Sequence, residues 1–172
     1  MKKFLLILFS FYLALVFLMP KTELYYTLKS FLAPQHVILT QERVKDRWFD
    51  LKIENLKLLY DGIESAQAEQ VEVLPWLFFN RISAENVRAG KDVRKMFDFN
   101  AAQITVTHSV IAPLEAKISA NGNFGKIEGS LKLKEGKLKL ICEPTKAFKS
   151  SSMFRELFRK RDEGYVHESI IR

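Results

Sequence analysis

The chain has little of what catalytic or disulfide-stapled proteins are built from. One of its 172 residues is cysteine, Cys142, so no intramolecular disulfide forms and no Cys-x-x-Cys redox or metal pair exists. No basic residue or helix start is placed to lower its pKa, and Cys142 reads as a small half-buried hydrophobe flanking a strand. The three histidines, His36, His108 and His167, have no ligand spacing between them. His108 and Ser109 are adjacent, but neighbours on a strand point to opposite faces and make a poor dyad. Asp46 and Asp50 flank Trp48, yet Lys45 and Arg47 beside them indicate balanced surface charge, not paired acids. Glycine is scarce at seven, and its one dense stretch, Gly122 to Gly129 (GNFGKIEG), leads into a strand and matches no phosphate-binding fingerprint. These absences point to a non-enzymatic protein with no catalytic residues, no cofactor and no metal.

What is present is positive charge and apolar surface. Lys and Arg number 27 against 20 Asp and Glu, a net charge of +7 that favours anionic partners. Nucleic acid is set aside, because the chain has neither an RNA-binding sheet motif nor a zinc framework. A membrane fits better. MKKFLLILFSFYLALVFLMPK runs from Phe4 to Met19 without a charge, about 24 Å of helix at 1.5 Å per residue. That is a little short of the ~30 Å hydrocarbon core, and Tyr25 and Tyr26 are residues that sit at interfacial depth. The segment ends without a small-x-small cleavage site, which favours an uncleaved signal anchor over a cleaved signal peptide. Lys2 and Lys3 hold the N-terminus in the cytoplasm. The expected location is a cell inner membrane, single-pass, with the body in the periplasm.

The body reads as strands. ELYYTLKSFL has helical spacing and stops at Ala33-Pro34, which gives a short amphipathic helix after the anchor. From His36 the period is two, with turn signals every 8–12 residues or so. Strand positions are Val37 and Leu39; Trp48-Phe49, Leu51 and Ile53; Leu56, Leu58 and Tyr60 after a break at Glu54-Asn55; and Ile63, Ala66 and Ala68 with Val71, Val73 and Pro75. They continue through Ile82, Ala84, Val87 and Ala89, then Ala102, Ile104 and Val106, then Leu114 to Ala120. Last comes a hairpin of Lys126–Leu133 with Lys137–Ile141 through Glu135-Gly136. In GSLKLKEGKLKLICEP, Leu131, Leu133, Leu138 and Leu140 face an apolar interior while Lys132, Lys134, Lys137 and Lys139 face water. Pro75-Trp76-Leu77-Phe78-Phe79 is expected to form a helical turn capping the sheet. A helix from Ser151 to Arg161 places Met153, Phe154, Leu157 and Phe158 on one face and the basic Arg159, Lys160 and Arg161 at its C-terminal end. It serves either as a lid on the sheet or as a membrane-facing helix. The expected organisation is an anchor and juxtamembrane helix over 1–33, an antiparallel β domain over 34–149, and an amphipathic helix with tail over 150–172.

Three pieces carry a resemblance: the N-terminal anchor leading to TLKSFLAP; LKIENLKLLYDGIESAQAEQVEVLPWL; and GSLKLKEGKLKLICEP followed by a hydrophobic-basic helix and GYVHES. Together they resemble the general secretion pathway protein N family, the inner-membrane accessory of type II secretion, which is similar to AsmA-like envelope proteins. The resemblance implies a mainly β fold: a curved antiparallel sheet behind a transmembrane helix, working beside envelope or secretion-system proteins in protein transport. The AsmA-like relatives imply a second use, an apolar face that binds or transfers phospholipid. The chain is shorter than members of that family, which leaves a long groove unsupported.

A sheet with one greasy side must cover it with a helix, a partner or lipid. The candidate apolar groove is Leu56, Leu58, Val71, Val73, Ile104, Val106, Ile118, Leu131, Leu133, Leu138 and Leu140. An assembly component of a secretion-like machine, a lipid-handling module and a cleaved periplasmic binding protein stay open at this point. So does the choice between an open curved sheet and a closed sandwich.

Overall fold

The computed structural model describes residues 2–95, 98–162 and 164–170; Ile171 and Arg172, the end of the expected tail, lie outside them. Helices α1 (Lys2–Leu18) and α2 (Lys21–Leu32) come first, and α2 tightens into a 3-10 turn, Ala33–Gln35. The strands β1 (Val37–Thr40), β2 (Arg43–Asp46), β3 (Leu51–Tyr60), β4 (Ile63–Trp76), β5 (Phe79–Ala89) and β6 (Asn100–Ser109) follow. Then come β7 (Ala112–Gly122), β8 (Gly125–Lys132) and β9 (Lys137–Pro144). Two short helices, α3 (Lys146–Ser150) and α4 (Ser152–Leu157), precede β10 (Arg159–Arg161) and β11 (Gly164–Ile170). The protein is mainly β: the eleven strands of the described residues lie in one antiparallel sheet, not in a sandwich.

From β3 to β9 each strand pairs with the next, a plain meander, and β11 then slots between β9 and β10. β1 and β2 share one register against β3, with Val37 opposite Tyr60 and Arg43 opposite Glu54, so they act as a single interrupted edge strand. The meander gives the sheet two chemically distinct ends. The connections 47–50, 77–78, 110–111 and 133–136 meet at one, called here the near end because α1 arrives there. The turn at Asp61-Gly62, the turn at Asn123-Phe124 and helices α3 and α4 lie at the far end.

α1 is apolar on every side and ends before Pro20, which has no N–H to continue it. No single described helix is long and apolar enough to cross a membrane; Lys2–Leu18 and Lys21–Gln35 meet that test only as a pair bent by 53°. Lys21, just past the bend, is buried and its Nζ lies 2.9 Å from Asp46 Oδ1 at the end of β2. The α2 helix matches its expected span, but Leu24, Leu28 and Phe31 face outward, while Tyr25 reaches the core and donates its hydroxyl to Gln41.

The core lies on one face of the sheet. It runs from Tyr25, Leu51 and Ile53 through Val71, Val87 and Ala101 to Phe124, Ile127 and Cys142, and closes under α3 and α4 with Phe148, Phe154 and Phe158. In β3 to β6 the inward positions step by two, three and two: Leu51, Ile53, Leu56, Leu58 in β3 and Ala66, Ala68, Val71, Val73 in β4. Asn55 (φ 52°) and Asn86 (φ 50°) take left-handed conformations at the long step, which returns the following apolar residues to the same face. The break expected at Glu54-Asn55 is therefore a slip within one continuous strand.

Four expectations need correction. Trp48 and Phe49 stand in the loop between β2 and β3, not in a strand. Pro75 to Phe79 forms no helical turn: β4 runs to Trp76 and β5 starts at Phe79, a tight hairpin with Leu77-Phe78 at its tip. The C-terminal helix stops at Leu157, because Arg159, Lys160 and Arg161 pair with β11 as β10 and so do not complement a helix dipole. Leu133 lies one residue past β8, in the turn.

Candidate functional site: an uncovered apolar strip with an aromatic rim

Of the eleven groove candidates, Val71 is core, and Leu56, Val73, Ile104 and Leu140 pack against the core from its margin. Leu58, Val106, Ile118, Leu131 and Leu138 are half-buried outside that cluster, and Leu133 is 48 % exposed. The register sets most of the remainder side by side: Ile82 opposite Val106, Val106 opposite Ile118, Leu131 opposite both Ala116 and Leu138. With Leu114, whose carbonyl accepts from the Leu133 N–H at 2.8 Å, they form an apolar strip over the near half of β5 to β9. The helices leave it bare, since α2 lies against β1 and β2 and α3 against β9. Ile82 and Leu114 escaped sequence reasoning as site residues; their period-two spacing from Ala84 and Ala116 was the available signal.

The C-terminal helix works as a cover for the far half. Phe154 and Phe158 are buried, with Phe148 stacked 4.9 Å from Phe154, while Met153 and Leu157 stay exposed. Ser151 caps α4 by accepting from the Phe154 N–H. Arg161 turns to Glu168 on the neighbouring strand at 3.3 Å, and Arg159 and Lys160 face water.

At the near end the strip meets a rim of exposed apolar side chains. Trp48 is 63 %, Phe78 58 % and Ile111 94 % exposed. The rim is one connected structure: Trp76 Nε1–H donates to the Phe49 carbonyl at 3.3 Å, and the Val110 N–H donates to the Phe78 carbonyl at 3.1 Å. α1 is seated on it, with Phe17 edge-on to Trp48 at 4.4 Å and Tyr12 tilted against Phe78 at 5.1 Å. An open apolar hollow of about 500 Å³ lies between Leu5, Leu8, Tyr12, Leu77 and Phe78.

The opposite face of the sheet is polar. A hollow of about 510 Å³ there is lined by Thr105, Lys117, Ser119, Glu128, Ser130 and Lys139, a mixture of both charges with hydroxyls. Chemistry-bearing residues do not converge. His36 pairs with Asp61 at 3.1 Å, a His108 ring nitrogen lies 3.0 Å from the Pro113 carbonyl, and His167 Nδ1 lies 2.7 Å from the Leu157 carbonyl, at three separate places. Ser109 Oγ accepts from the Ile111 N–H, and Asp46 and Asp50 are each paired, with Lys21 and Arg47. Among the described residues no three His, Cys, Asp or Glu side chains are placed to share a metal ion. Burial pushes the Cys142 thiol up to about 11, and its S–H points at the Phe124 carbonyl. No family model, curated protein or solved structure matches the chain.

Proposed function

We propose that the protein is a non-enzymatic, single-pass component of a cell inner membrane, N-terminus cytoplasmic and sheet periplasmic. It acts as an accessory or assembly part of an envelope machine of the type II secretion kind. One observation carries the reading: α1 is seated on an exposed apolar rim, and a bare apolar strip lies on the same end of the sheet, separated from the rim at β5 and β6 only by Asn80 and His108. A helix apolar on every side and exposed over most of its length needs lipid around it, and a bare strip on a folded sheet needs a partner. Openness favours a protein partner, because the strip has no walls that would enclose a ligand.

The same strip supports a second reading, an AsmA-like surface that takes phospholipid acyl chains. It ends at the rim where α1 arrives, so a chain leaving the bilayer would meet it first. A photo-crosslinking amino acid placed at Val106 or Leu131 in the full-length chain separates the two. A discrete adduct with a secretion or envelope protein, absent when the probe is at Ser130 on the opposite face, supports the assembly role. Phospholipid adducts transfer support to lipid handling. Equal labelling at Ser130 and Val106, or none, overturns both.

A further inference from the structure

We propose that the near end of the sheet is seated in the membrane, with Trp48 and the tips of the β4–β5 and β6–β7 hairpins sunk into the headgroup–acyl boundary of an anionic leaflet beside α1. The inference rests on the reading of α1 as an anchor and adds how the sheet is held against the bilayer. Its first support is length. α1 has 17 residues, about 25 Å at 1.5 Å each, against a hydrocarbon core of ~30 Å. The chain cannot continue the span straight, because it bends by 53° into α2. Trp48 meets Phe17 edge-on near the end of the helix and Phe78 tilts against Tyr12 further back, so the rim adds apolar surface alongside the helix.

The second support is the contrast between the two ends. Near-end connections carry Trp48-Phe49, Leu77-Phe78, Val110-Ile111 and Leu133, a denser set of exposed apolar residues than the far end, where Asp61-Gly62 and Asn123 stand in the turns and Tyr60, Ile63, Met153 and Leu157 are the exposed apolar side chains. Turn residues are normally polar; connections whose very tips are aromatic and aliphatic, as at Trp48, Leu77-Phe78 and Val110-Ile111, are what an interface selects. Trp48 is held at φ 69°, a conformation costly for a bulky residue, with its ring outward.

Charge is the third. Asp46, Asp50, Glu72 and Glu135 at this end lie 2.9, 2.8, 2.7 and 3.9 Å from Lys21, Arg47, Arg47 and Lys132. Arg81, Lys134 and Lys137 have no carboxylate within 4.0 Å among the described residues, against one acid at this end without an ion pair, Glu115, so the excess is positive and is left for lipid headgroups.

The chain carries its own reporters, since its two tryptophans, Trp48 and Trp76, both lie at this end. Full-length protein is reconstituted into vesicles of phosphatidylethanolamine and phosphatidylglycerol whose acyl chains are brominated either near the headgroup or near the methyl end. A fluorophore on Ser10→Cys, midway along α1, reports the anchor separately; Cys142 is fully buried and does not compete. The expected result is a loss of roughly half the tryptophan emission with shallow bromines and less with deep ones, while the α1 probe responds most to deep bromines. Ile111→Asp, at a side chain too exposed to matter for folding, should reduce the tryptophan quenching and leave the α1 probe unchanged. A quenched α1 probe with tryptophans open to aqueous iodide overturns the seating and leaves the anchor. If neither responds to bromine, both readings fall. Tryptophans shielded from iodide yet untouched by bromine would show a second protein surface on the rim, which also overturns the proposal.

Discussion

Lys21 is 3 % exposed and Asp46 receives it, while the same carboxylate oxygen also accepts the Trp48 N–H at 3.1 Å. One acid thus ties the bend after α1 to the rim. Removing it leaves a buried ammonium with only the Met19 carbonyl at 3.4 Å. Asp46→Ala should cost about 2 kcal/mol, below the full buried-pair penalty because Asp46 is itself partly exposed, and Asp46→Asn about half of that. Urea midpoints in mild detergent check both values. Cys142 makes a prediction of another kind. Burial holds its proton on until about pH 11, so its contribution to stability is complete below the unfolded thiol's pKa of 9.0 and is lost as pH climbs towards 11. The stability difference between the natural chain and Cys142→Ala should shift across that window and stay flat below it. At pH 8, alkylation of the folded chain should be about 100-fold or more slower than that of the unfolded chain. Sequence alone read Cys142 as a half-buried hydrophobe flanking a strand, whereas it lies within β9 and is fully buried; the fate of Lys21 depended on a contact 25 residues away and left no local trace.

Elements with strict alternation were legible throughout, and those with a slip were legible in their inward residues, the slip itself being read as a break at Glu54-Asn55. β7 to β9 keep period two throughout and stand close to where the pattern puts them. In β3 to β6 the two-three-two spacing recurs in four consecutive strands, and a left-handed residue absorbs the extra step in at least two of them. Asparagine does this with least strain among residues that have a side chain, and here it is also bonded: Asn86 donates to Glu69 and Asn55 to Glu42, both at 2.7 Å. Asn86→Ala should therefore cost about 1–2 kcal/mol, and Asn86→Gly less, since glycine keeps the backbone conformation and loses only the bond. Equal urea midpoints for the two variants would mean that the bond, not the backbone, fixes the slip. The tail misled for a related reason. The spacing Met153, Phe154, Leu157, Phe158 is helical, and α4 is real, but the turn ending in Gly164 (φ 117°) folds Arg159–Arg161 back as a strand. Phe148, fully buried between Phe154, Phe158 and Tyr165, holds that cover down, and Phe148→Ala should cost about 3–5 kcal/mol by the same assay.

At the scale of the whole molecule, the chemistry of the two ends is what the proposed orientation rests on. It was present in the sequence yet unreadable there, because Trp48, Phe78, Ile111 and Leu133 lie far apart in the chain and only the meander brings their connections to one end. Exposed apolar residues also imitate core residues in a linear pattern, which is why Trp48-Phe49 and the Pro-Trp-Leu-Phe-Phe run were assigned to elements and not to an exposed rim. The orientation has a consequence for proteolysis that needs no substitution. Lys91, Arg94 and Lys95 follow β5 at the far end and are exposed, whereas Lys134 is equally exposed but sits in the near-end turn beside Leu133. With α1 spanning the bilayer and the rim lowered into it, trypsin added to the periplasmic side should cut first after Lys91, Arg94 or Lys95. Cleavage after Lys134 should wait until detergent removes the membrane, because both the leaflet and its headgroups then cease to cover the turn. Mass spectrometry of the released peptides, with and without detergent, reads the order directly. Equal early cleavage after Lys134 in intact membranes would place the near end in water and turn the sheet away from the bilayer.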